Sequence, residues 1–349
     1  MDTHGVKYIG SKKKLIPHIL EHTNHIPAGK MIDVFAGTTR VGQAFRKRGW
    51  AVVSSDLAWA SECYGHLYLK TTPEDVPLLR SRVVTLNALD GCDDWITKNY
   101  CDVITPSGGV VKVWKPKNGR KADAIRNKID EWEKSGEISH HIAMSLVAIL
   151  IVALDVVDST VGVQQAYLKN WAARADNDLV LKVPDDISNG LVGNHIVGNC
   201  LEVEYEKADI AYVDPPYSSH SYATYYHIWD SIARWDKPEV TMKTNRRLDR
   251  TAKTFDASMK SEWNKAQTSY IAFEELFDRL PVRYILLSYS NESLISLQEL
   301  ETILKKYKSY KVHMIDYKRN IMSQIGNAES IEDPNTANVE YIILIEKNP

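Results

Sequence analysis

The sequence has few of the residues on which several common classes of protein depend. Its 349 residues include four cysteines, and these show neither a CxxC pair nor the spacing of a zinc site. We therefore expect reduced thiols, as in a cytoplasmic protein. The amino terminus carries polar and charged residues from its start, so no signal peptide is predicted. The cysteines are Cys63, Cys92, Cys101 and Cys200.

Long apolar runs and an excess of charge are also missing. The longest apolar run, from Ile142 to Leu154, has 13 residues, which is too short to span a bilayer and indicates a buried helix. A soluble protein without a membrane partner is expected. Lysine and arginine number 43 against 45 acidic residues, a net charge of −2, so any contact with nucleic acid must depend on local patches.

No catalytic cysteine, Ser-His-Asp set or metal cluster can be recognised in the sequence. His140 and His141 stand at the start of an apolar stretch and are interpreted as capping or surface residues. His220 and His227 have no cysteine or aspartate partner at metal-binding spacing. No metal site is predicted.

The most informative stretch that is present runs from Ile210 to Tyr217. Its apolar beginning predicts a short buried strand, and two consecutive prolines then end the strand in a loop. Such a loop lies at the carboxyl edge of the sheet, where open α/β sheets bind ligands. Asp214 and the carbonyl of Pro215 can accept the two hydrogens of an amino group, and Tyr217 can stack on a ring. The alternative is a strand that ends in a proline turn and binds nothing.

A second signal lies near the amino terminus. Residues 31–42 read as strand, small-residue turn and helix, with Gly37 allowing a ligand to approach the backbone. A second strand, 51–55, ends at Asp56, which is placed to accept hydrogen bonds from a ribose. Together these features suggest a cofactor that contains a nucleoside, although an ordinary βαβ unit is the alternative. The dinucleotide pattern GxGxxG is missing, which disfavours a nicotinamide oxidoreductase.

The remaining pattern predicts one α/β sheet interrupted by a helical region. We expect a catalytic domain made of residues 1–70 and 190–349, with a mainly helical insert at 71–189. The predicted helices of the insert lie near 124–135, 139–157 and 164–175, after β-like pieces around 110–114. Further predicted strands are 195–198, 284–289, 311–315 and 339–346, and further helices are 225–235, 269–280 and 294–307.

Two clusters of basic residues are candidates for contact with the phosphates of a nucleic acid. Between residues 112 and 128 there are seven lysines and arginines against one acid. Its candidates are Lys117, Arg120, Lys121 and Arg126. The second cluster, in a polar loop at 237–265, contributes Arg246, Arg247 and Arg250 on charge alone. An ordinary solvated surface is the alternative for the first cluster.

The order of these motifs resembles that of the Dam-like, alpha-group N6-adenine DNA methyltransferases. The resemblance rests on Lys7–Lys12, Asp33–Gly42, Asp56 and Asp214–Tyr217. It continues through residues 118–126, 162–175 and 286–291, so it covers most of the chain. One departure is that the family usually has Gly-Asp before its Asp-Pro-Pro-Tyr strand, whereas here Gly198 precedes Asn199.

The resemblance implies a Rossmann-like, S-adenosylmethionine-dependent fold: a mixed sheet with a mainly helical inserted target-recognition domain. It implies that the enzyme methylates the N6 amino group of adenine in a specific duplex DNA sequence. The adenine is flipped out of the duplex first, and the methyl group is then transferred directly, without a covalent enzyme intermediate. A restriction-modification system and a cognate endonuclease follow as expected partners. The implied catalytic residues are Asp214, Pro215, Pro216 and Tyr217. The implied cofactor-binding residues are Tyr8, Lys12, Asp33, Phe35, Gly37, Asp56, Asn199 and Asp214.

Two kinds of alternative stay open at this point. The enzyme could act on adenine in RNA or on the amino group of cytosine, although related cytosine enzymes more often carry serine at the position of Asp214. A DNA-binding protein that keeps the fold but has lost catalysis is the other alternative. The intact Asp214–Tyr217 loop argues against it, and Asn199 argues weakly for it.

Overall fold

A seven-stranded sheet forms the centre of the computed structural model. The structure describes residues 2–8, 10–106, 108–162, 168, 170–217, 219, 225–241, 261–317 and 338–349. The strand order is β5-β2-β1-β6-β7-β9-β8, with the first five strands parallel and β9 antiparallel to both of its neighbours. The sheet strands are β1 (Lys30–Asp33), β2 (Ala51–Asp56), β5 (Asn194–Val197), β6 (Ala208–Val213), β7 (Val282–Ser290), β8 (Ser309–Tyr317) and β9 (Asn338–Glu346). A separate hairpin pairs β3 (Cys101–Ile104) with β4 (Val110–Lys112).

The register of the sheet brings the ends of its central strands to one edge. Asp33 at the end of β1 pairs with Tyr212 near the end of β6. Asp56 at the end of β2 pairs with Val197 at the end of β5. Because these strands are parallel, the loops that follow all four leave the sheet on the same side. The site is built there.

Helices cover both faces of the sheet. One face packs on α1 (Ile16–Glu21) and α2 (Arg40–Arg46), around buried side chains such as Phe45 and Tyr212. The other face packs on α9 (Ala266–Arg279) and α10 (Leu297–Leu304). The strands between them are buried on both sides, which is why β6 reads as a nearly continuous apolar run in the sequence.

A third core is helical. It includes α3 (Trp59–Gly65), which continues into a π-helical turn at His66–Lys70, and α8 (His227–Arg234). Four more helices contribute: α4 (Asp75–Ala88), α5 (Trp95–Tyr100), α6 (Pro116–Lys134) and α7 (His140–Val156). The fully buried rings of Trp114 and Trp229 meet in it, with centroids 5.7 Å apart. This core therefore continues across residue 70, the predicted boundary of the insert.

The apolar run at Ile142–Leu154 forms the buried helix that the sequence predicts. It lies in α7, where Ser139 caps the first turn by accepting a hydrogen bond from the Ile142 amide. Within the described part of the chain, no helix combines the length and apolar character needed to cross a membrane.

The predicted strands of the main sheet are all present, with ends that differ by a few residues. The helix expected at 124–135 begins earlier, at Pro116, because proline suits the first turn of a helix. Of the stretch predicted as a third helix, residues 163–167 and 169 lie outside the described residues, and its described end is a 3-10 turn at Ala173–Asp176. The sequence did not predict α3, α4, α5 or β3; α4, for example, buries only Leu79, Val83 and Leu86.

Candidate active site

A cleft with a volume of about 240 Å³ opens at the carboxyl edge of the sheet. Its walls come from the loops after β1, β2, β5 and β6, from the amino-terminal segment, and from α3 and α8. The structure thus brings together residues that the sequence predicted separately. The predicted residues that line the cleft are Tyr8, Lys12, Phe35, Gly37, Asp56, Asn199, Asp214, Pro215, Pro216 and Tyr217.

The turn after β1 is tied to the acid at the end of β2. Gly37 has a φ of +49°, a conformation that favours glycine, and its amide donates to Asp56 Oδ2 at 2.8 Å. Asp56 Oδ1 accepts from the Ala58 amide, also at 2.8 Å. A side chain on Gly37 would point at the Tyr8 ring, since an added Cβ would lie 3.7 Å from the Tyr8 hydroxyl. The Asp56 carboxylate is therefore held at the cleft wall by two backbone amides.

Asp33 differs in position from the other predicted cofactor-binding residues. It is absent from the cleft lining among the described residues and is 1% exposed, with Oδ2 accepting from the Gly42 amide at 3.0 Å. Burial raises its pKa to about 7. A side chain on Gly42 would crowd this contact, because an added Cβ would lie 3.2 Å from Asp33 Oδ2. Asp33 thus supports the turn from behind the cleft wall, and the prediction that it contacts the cofactor stays a prediction.

Asp214 stands in a partly buried cluster of charged and hydroxyl groups. Lys12 Nζ lies 3.0 Å from Asp214 Oδ1 and 2.9 Å from the Tyr217 hydroxyl. The Tyr217 hydroxyl donates to Asp214 Oδ1 at 2.9 Å. Glu340, at the beginning of β9, lies 4.0 Å from Lys12 Nζ and 3.4 Å from the Tyr217 hydroxyl. Two carboxylates therefore share one ammonium at the cleft wall.

The pKa values in this cluster reflect competition between burial and charge. Burial raises the pKa of Asp214, and the adjacent charge of Lys12 opposes this without reversing it. Burial raises the pKa of Glu340 in the same way. For Lys12 burial acts to lower the pKa, but the charges of Asp214 and Glu340 outweigh it and the pKa is raised. Lys12 therefore stays charged, and it stabilises the ionised form of Asp214.

The Tyr217 ring is in contact on more than one side. The Lys12 ammonium lies 4.5 Å from its centroid, and the Tyr289 ring meets it edge-on at 5.4 Å. The prediction that Tyr217 stacks on a substrate ring stays a prediction. A substrate ring that stacks on the face of Tyr217 now covered by Lys12 would have to displace the Lys12 ammonium.

The amino-terminal segment that carries Tyr8 and Lys12 is anchored by buried acids. The Lys7 amide donates to Asp155 Oδ2 at 3.0 Å, and Lys7 Nζ lies 3.5 Å from Asp158 Oδ1. Asp158 is fully buried and also pairs with Arg174 at 2.7 Å. The end of α7 and the residues after it therefore hold this wall of the cleft.

Several lining residues were not found from the sequence. They are contributed by helices and loops whose position the sequence pattern does not reveal. Glu340 is separated from Tyr217 by 123 residues, and no signal in the sequence joins the two. Trp263 meets the Phe35 ring edge-on at 5.2 Å. The missed residues include Tyr64, Tyr226, Trp229, Asp230 and Trp263 in the cleft lining, and Glu340 beside it.

The basic residues predicted to contact DNA are largely committed to contacts within the protein. Arg126 is 2% exposed, and its guanidinium donates to the carbonyls of Ile232 and Ala233 at the end of α8. Lys121 Nζ donates to the carbonyls of Asn87 and Leu89. In the structure these side chains join helices, and the prediction that Arg126 and Lys121 bind phosphate would require them to give up these contacts.

The other predicted contacts are more exposed. Lys117 pairs with Asp178 at 2.6 Å, and Arg120 pairs with Asp93 at 3.2 Å. Both basic side chains are about half exposed, so a competing phosphate could reach them. Arg246, Arg247 and Arg250 lie outside the described residues.

Comparison with known proteins adds to this geometry. A family model described as "D12 class N6 adenine-specific DNA methyltransferase" matches residues 8–321. The chain is 30% identical over 313 residues to modification methylase StsI of Streptococcus sanguinis, covering 86% of this chain and 46% of that protein. It is 28% identical over 363 residues to type II methyltransferase M.FokI of Planomicrobium okeanokoites, covering 98% and 53%. The chain thus spans about half the length of these two relatives.

A third relative is similar over the length of both chains. Type II methyltransferase M.NlaIII of Neisseria lactamica is 28% identical over 350 residues, which cover 98% of this chain and 99% of that protein. The similarity therefore includes the cleft, the helical core and the carboxyl-terminal strands.

Proposed function

Because the chain belongs to the D12 class of N6 adenine-specific DNA methyltransferases, we propose that it transfers a methyl group from S-adenosylmethionine to the N6 amino group of adenine in a specific duplex DNA sequence. The observation that supports this proposal best is the carboxylate of Asp214, which is 15% exposed and lies beside Pro215 in the cleft. A modification role, with a cognate restriction endonuclease as partner, is part of the proposal. It is suggested by relatives that are named as modification methylases.

The cleft fits the proposed cofactor. A glycine turn next to an acid at the end of the second strand suits a nucleoside, because the carboxylate of Asp56 can accept hydrogen bonds from ribose hydroxyls. Phe35 and Tyr8 offer apolar surface, and Asn199 offers a polar edge. When bound there, S-adenosylmethionine supplies an electrophilic methyl group.

The Asp214–Tyr217 loop is proposed to hold the adenine that has been flipped out of the duplex. The carboxylate of Asp214 and the carbonyl of Pro215 accept the two amino hydrogens, Pro216 keeps the loop rigid, and Tyr217 packs against the ring. In the structure Lys12 and the Tyr217 hydroxyl both contact Asp214 Oδ1, so the amino hydrogen is proposed to bind Oδ2 while the ammonium stays in place. Glu340, only 4.0 Å away, provides a second carboxylate for it.

Orientation supplies much of the acceleration in such a reaction. The two hydrogen bonds direct the lone pair of the amino nitrogen toward the methyl donor, so that a reaction between two molecules proceeds within one complex. Asp214 is a stronger base than an exposed aspartate because burial raises its pKa. This property suits the group that holds an amino hydrogen while the nitrogen becomes positive.

The remaining parts of the chain are proposed to read the DNA. In this proposal residues 1–70 and 190–349 form the catalytic domain, residues 71–189 form the target-recognition insert, and 237–265 forms a second loop that faces DNA. Base edges carry the sequence information, whereas basic side chains position the duplex. Lys117 and Arg120 are the exposed candidates among the described residues.

The experiment that tests the proposal is transfer of labelled methyl groups to long unmethylated duplex DNA, followed by digestion to nucleosides. We expect the label in N6-methyladenine. Label in N4-methylcytosine, or transfer to RNA alone, would show that the substrate is different. Saturable cofactor binding without transfer to any nucleic acid would indicate a non-catalytic binding protein.

Replacing Lys12 with methionine is expected to change the pH dependence of the reaction. Only the ionised form of Asp214 accepts both the required hydrogen bond and a proton, so kcat/KM should fall as the pH drops through the pKa of Asp214. Lys12 lowers that pKa, so its removal should raise the pKa and move the acidic limb of the profile to higher pH.

The control is Lys13→Met, because Lys13 is exposed and pairs with Asp2. Its acidic limb should coincide with that of the wild-type protein. An unshifted limb in the Lys12→Met variant would show that Lys12 does not control the ionisation of Asp214.

A further inference from the structure

A group of histidines and acids lies where α3 and the π-helical turn meet the beginning of α7. Glu62 belongs to α3, His66 to the π-helical turn, and His140 and His141 are the first residues of α7. One ring nitrogen of His66, one of His140 and a carboxylate oxygen of Glu62 all lie within 4.8 Å of one another. We call these three residues the junction cluster. None of them lines the cleft among the described residues.

The hydrogen bonds of His66 determine which of its nitrogens carries a proton. Asp75 Oδ2 also accepts from the Thr72 amide, and it can only accept from His141 Nε2 at 3.3 Å. His141 Nδ1 is then the acceptor in the 3.0 Å contact with His66 Nδ1, so His66 donates there. Nε2 of His66 is left with an unshared electron pair, the form in which imidazole binds a metal ion.

The His66 ring is buried, with 6% of its surface exposed, so its hydrogen-bond partners are fixed by the packing of the helices around it.

The second imidazole is oriented in a similar way. His140 Nδ1 lies 2.6 Å from Glu133 Oε1, while its Nε2 lies 3.5 Å from Glu62 Oε1. Histidines that bind metals generally donate their other N–H to a carboxylate or a comparable acceptor, which fixes the ring and raises its basicity. Both histidines of the junction cluster have such a partner: Glu133 for His140, and the His141–Asp75 pair for His66.

We propose that the junction cluster is a zinc site with Glu62, His66 and His140 as its protein ligands. Two ligands about 2.1 Å from a tetrahedral zinc ion are roughly 3.4 Å apart, close to the 3.5 Å between His140 Nε2 and Glu62 Oε1. The three ligand atoms lie within 4.8 Å of one another, so the side chains must move slightly inward to reach one zinc ion together. Imidazole and carboxylate ligands suit zinc, whereas magnesium prefers oxygen ligands alone.

The site would join two parts of the molecule. Glu62 and His66 lie on the segment whose residues Ala60, Ser61 and Tyr64 line the cleft. His140 lies on α7, the central helix of the proposed recognition insert. A bound ion would tie that cleft wall to the insert, independently of whether the chain transfers methyl groups.

The test is calorimetric titration of the full chain with zinc chloride, after treatment with EDTA and its removal. We expect saturable binding of one ion. His140→Ala and Glu62→Gln should each weaken binding by at least about tenfold. His18→Ala is the matched control, since His18 is also an exposed histidine on a helix, and it should bind zinc as the wild-type protein does.

A second readout separates binding from loss of folding. Each variant should unfold without zinc at nearly the wild-type Tm, because the His140 side chain is 56% exposed and Glu62→Gln keeps the size and polarity of the side chain. Zinc should raise the Tm of the wild-type and His18→Ala proteins more than the Tm of the other two. Absence of saturable zinc binding by the wild-type protein, or unchanged affinity in both cluster variants, would overturn the proposal.

Discussion

Replacing Asp214 with alanine is expected to lower kcat for methyl transfer by at least about 10²–10³-fold, while the affinity for the cofactor largely survives. The carboxylate is proposed to accept an amino hydrogen of adenine and to stabilise the charge that develops on nitrogen. Alanine offers neither interaction. The affinity for S-adenosylhomocysteine should change little, because the glycine turn and Asp56 remain in place. Single-turnover transfer and calorimetric titration measure the two quantities.

The change also leaves Lys12 with fewer partners. Without Asp214 its ammonium keeps Glu340 at 4.0 Å and the Tyr217 hydroxyl at 2.9 Å, so the variant should still fold. Asp209→Ala is the control, because Asp209 lies at the beginning of β6, at the end away from the cleft, where it accepts from the Lys30 amide. Wild-type turnover by Asp214→Ala would exclude the proposed mechanism.

Replacing Asp56 with alanine is expected to weaken binding of the cofactor by roughly 1–3 kcal/mol, the scale of a hydrogen bond to a charged group, or about 5- to 150-fold in Kd. Asp56 accepts from the amides of Gly37 and Ala58 as well as from the proposed ribose hydroxyls. The substitution therefore also loosens the turn. Titration with S-adenosylhomocysteine measures the loss of affinity.

The two contributions can be separated with a ligand that lacks the 2′-hydroxyl group. If Asp56 binds the ribose, the wild-type protein should lose affinity for the deoxy ligand, whereas Asp56→Ala should bind both ligands almost equally. If both proteins lose the same affinity when the 2′-hydroxyl group is removed, Asp56 affects cofactor binding only by holding the turn. Unchanged affinity of Asp56→Ala for S-adenosylhomocysteine would remove Asp56 from the site.

Basic clusters show how a local pattern can be misleading. The run from residue 112 to 128 has an excess of positive charge in the sequence, yet Arg126 and Lys121 donate to backbone carbonyls of other helices. A long basic side chain can satisfy buried carbonyls as well as it binds phosphate, and the sequence pattern is the same in both cases. Only the position of α6 against α4 and α8 distinguishes the two cases.

Asp33, the acid at the end of β1, also shows that a sequence motif does not specify which contacts its side chains make. Asp33 belongs to the motif that carries the resemblance, but it binds the Gly42 amide behind the cleft wall. The motif correctly indicated the turn. Which groups of the turn face the ligand depends on the direction of side chains, which the motif alone does not contain.

By itself the sequence determined the strands, the glycine turn, the Asp214–Tyr217 loop and the family, because these depend on periodicity and on residues close together in the chain. Tertiary structure alone decided the pairing of Lys12 with Asp214 and Glu340, the burial of Arg126 and the meeting of Glu62 and His66 with His140. The physical reason is that charge partners are chosen by packing. Residues far apart in sequence become neighbours when helices and strands bury their apolar faces, and nothing in the local pattern specifies which ones meet.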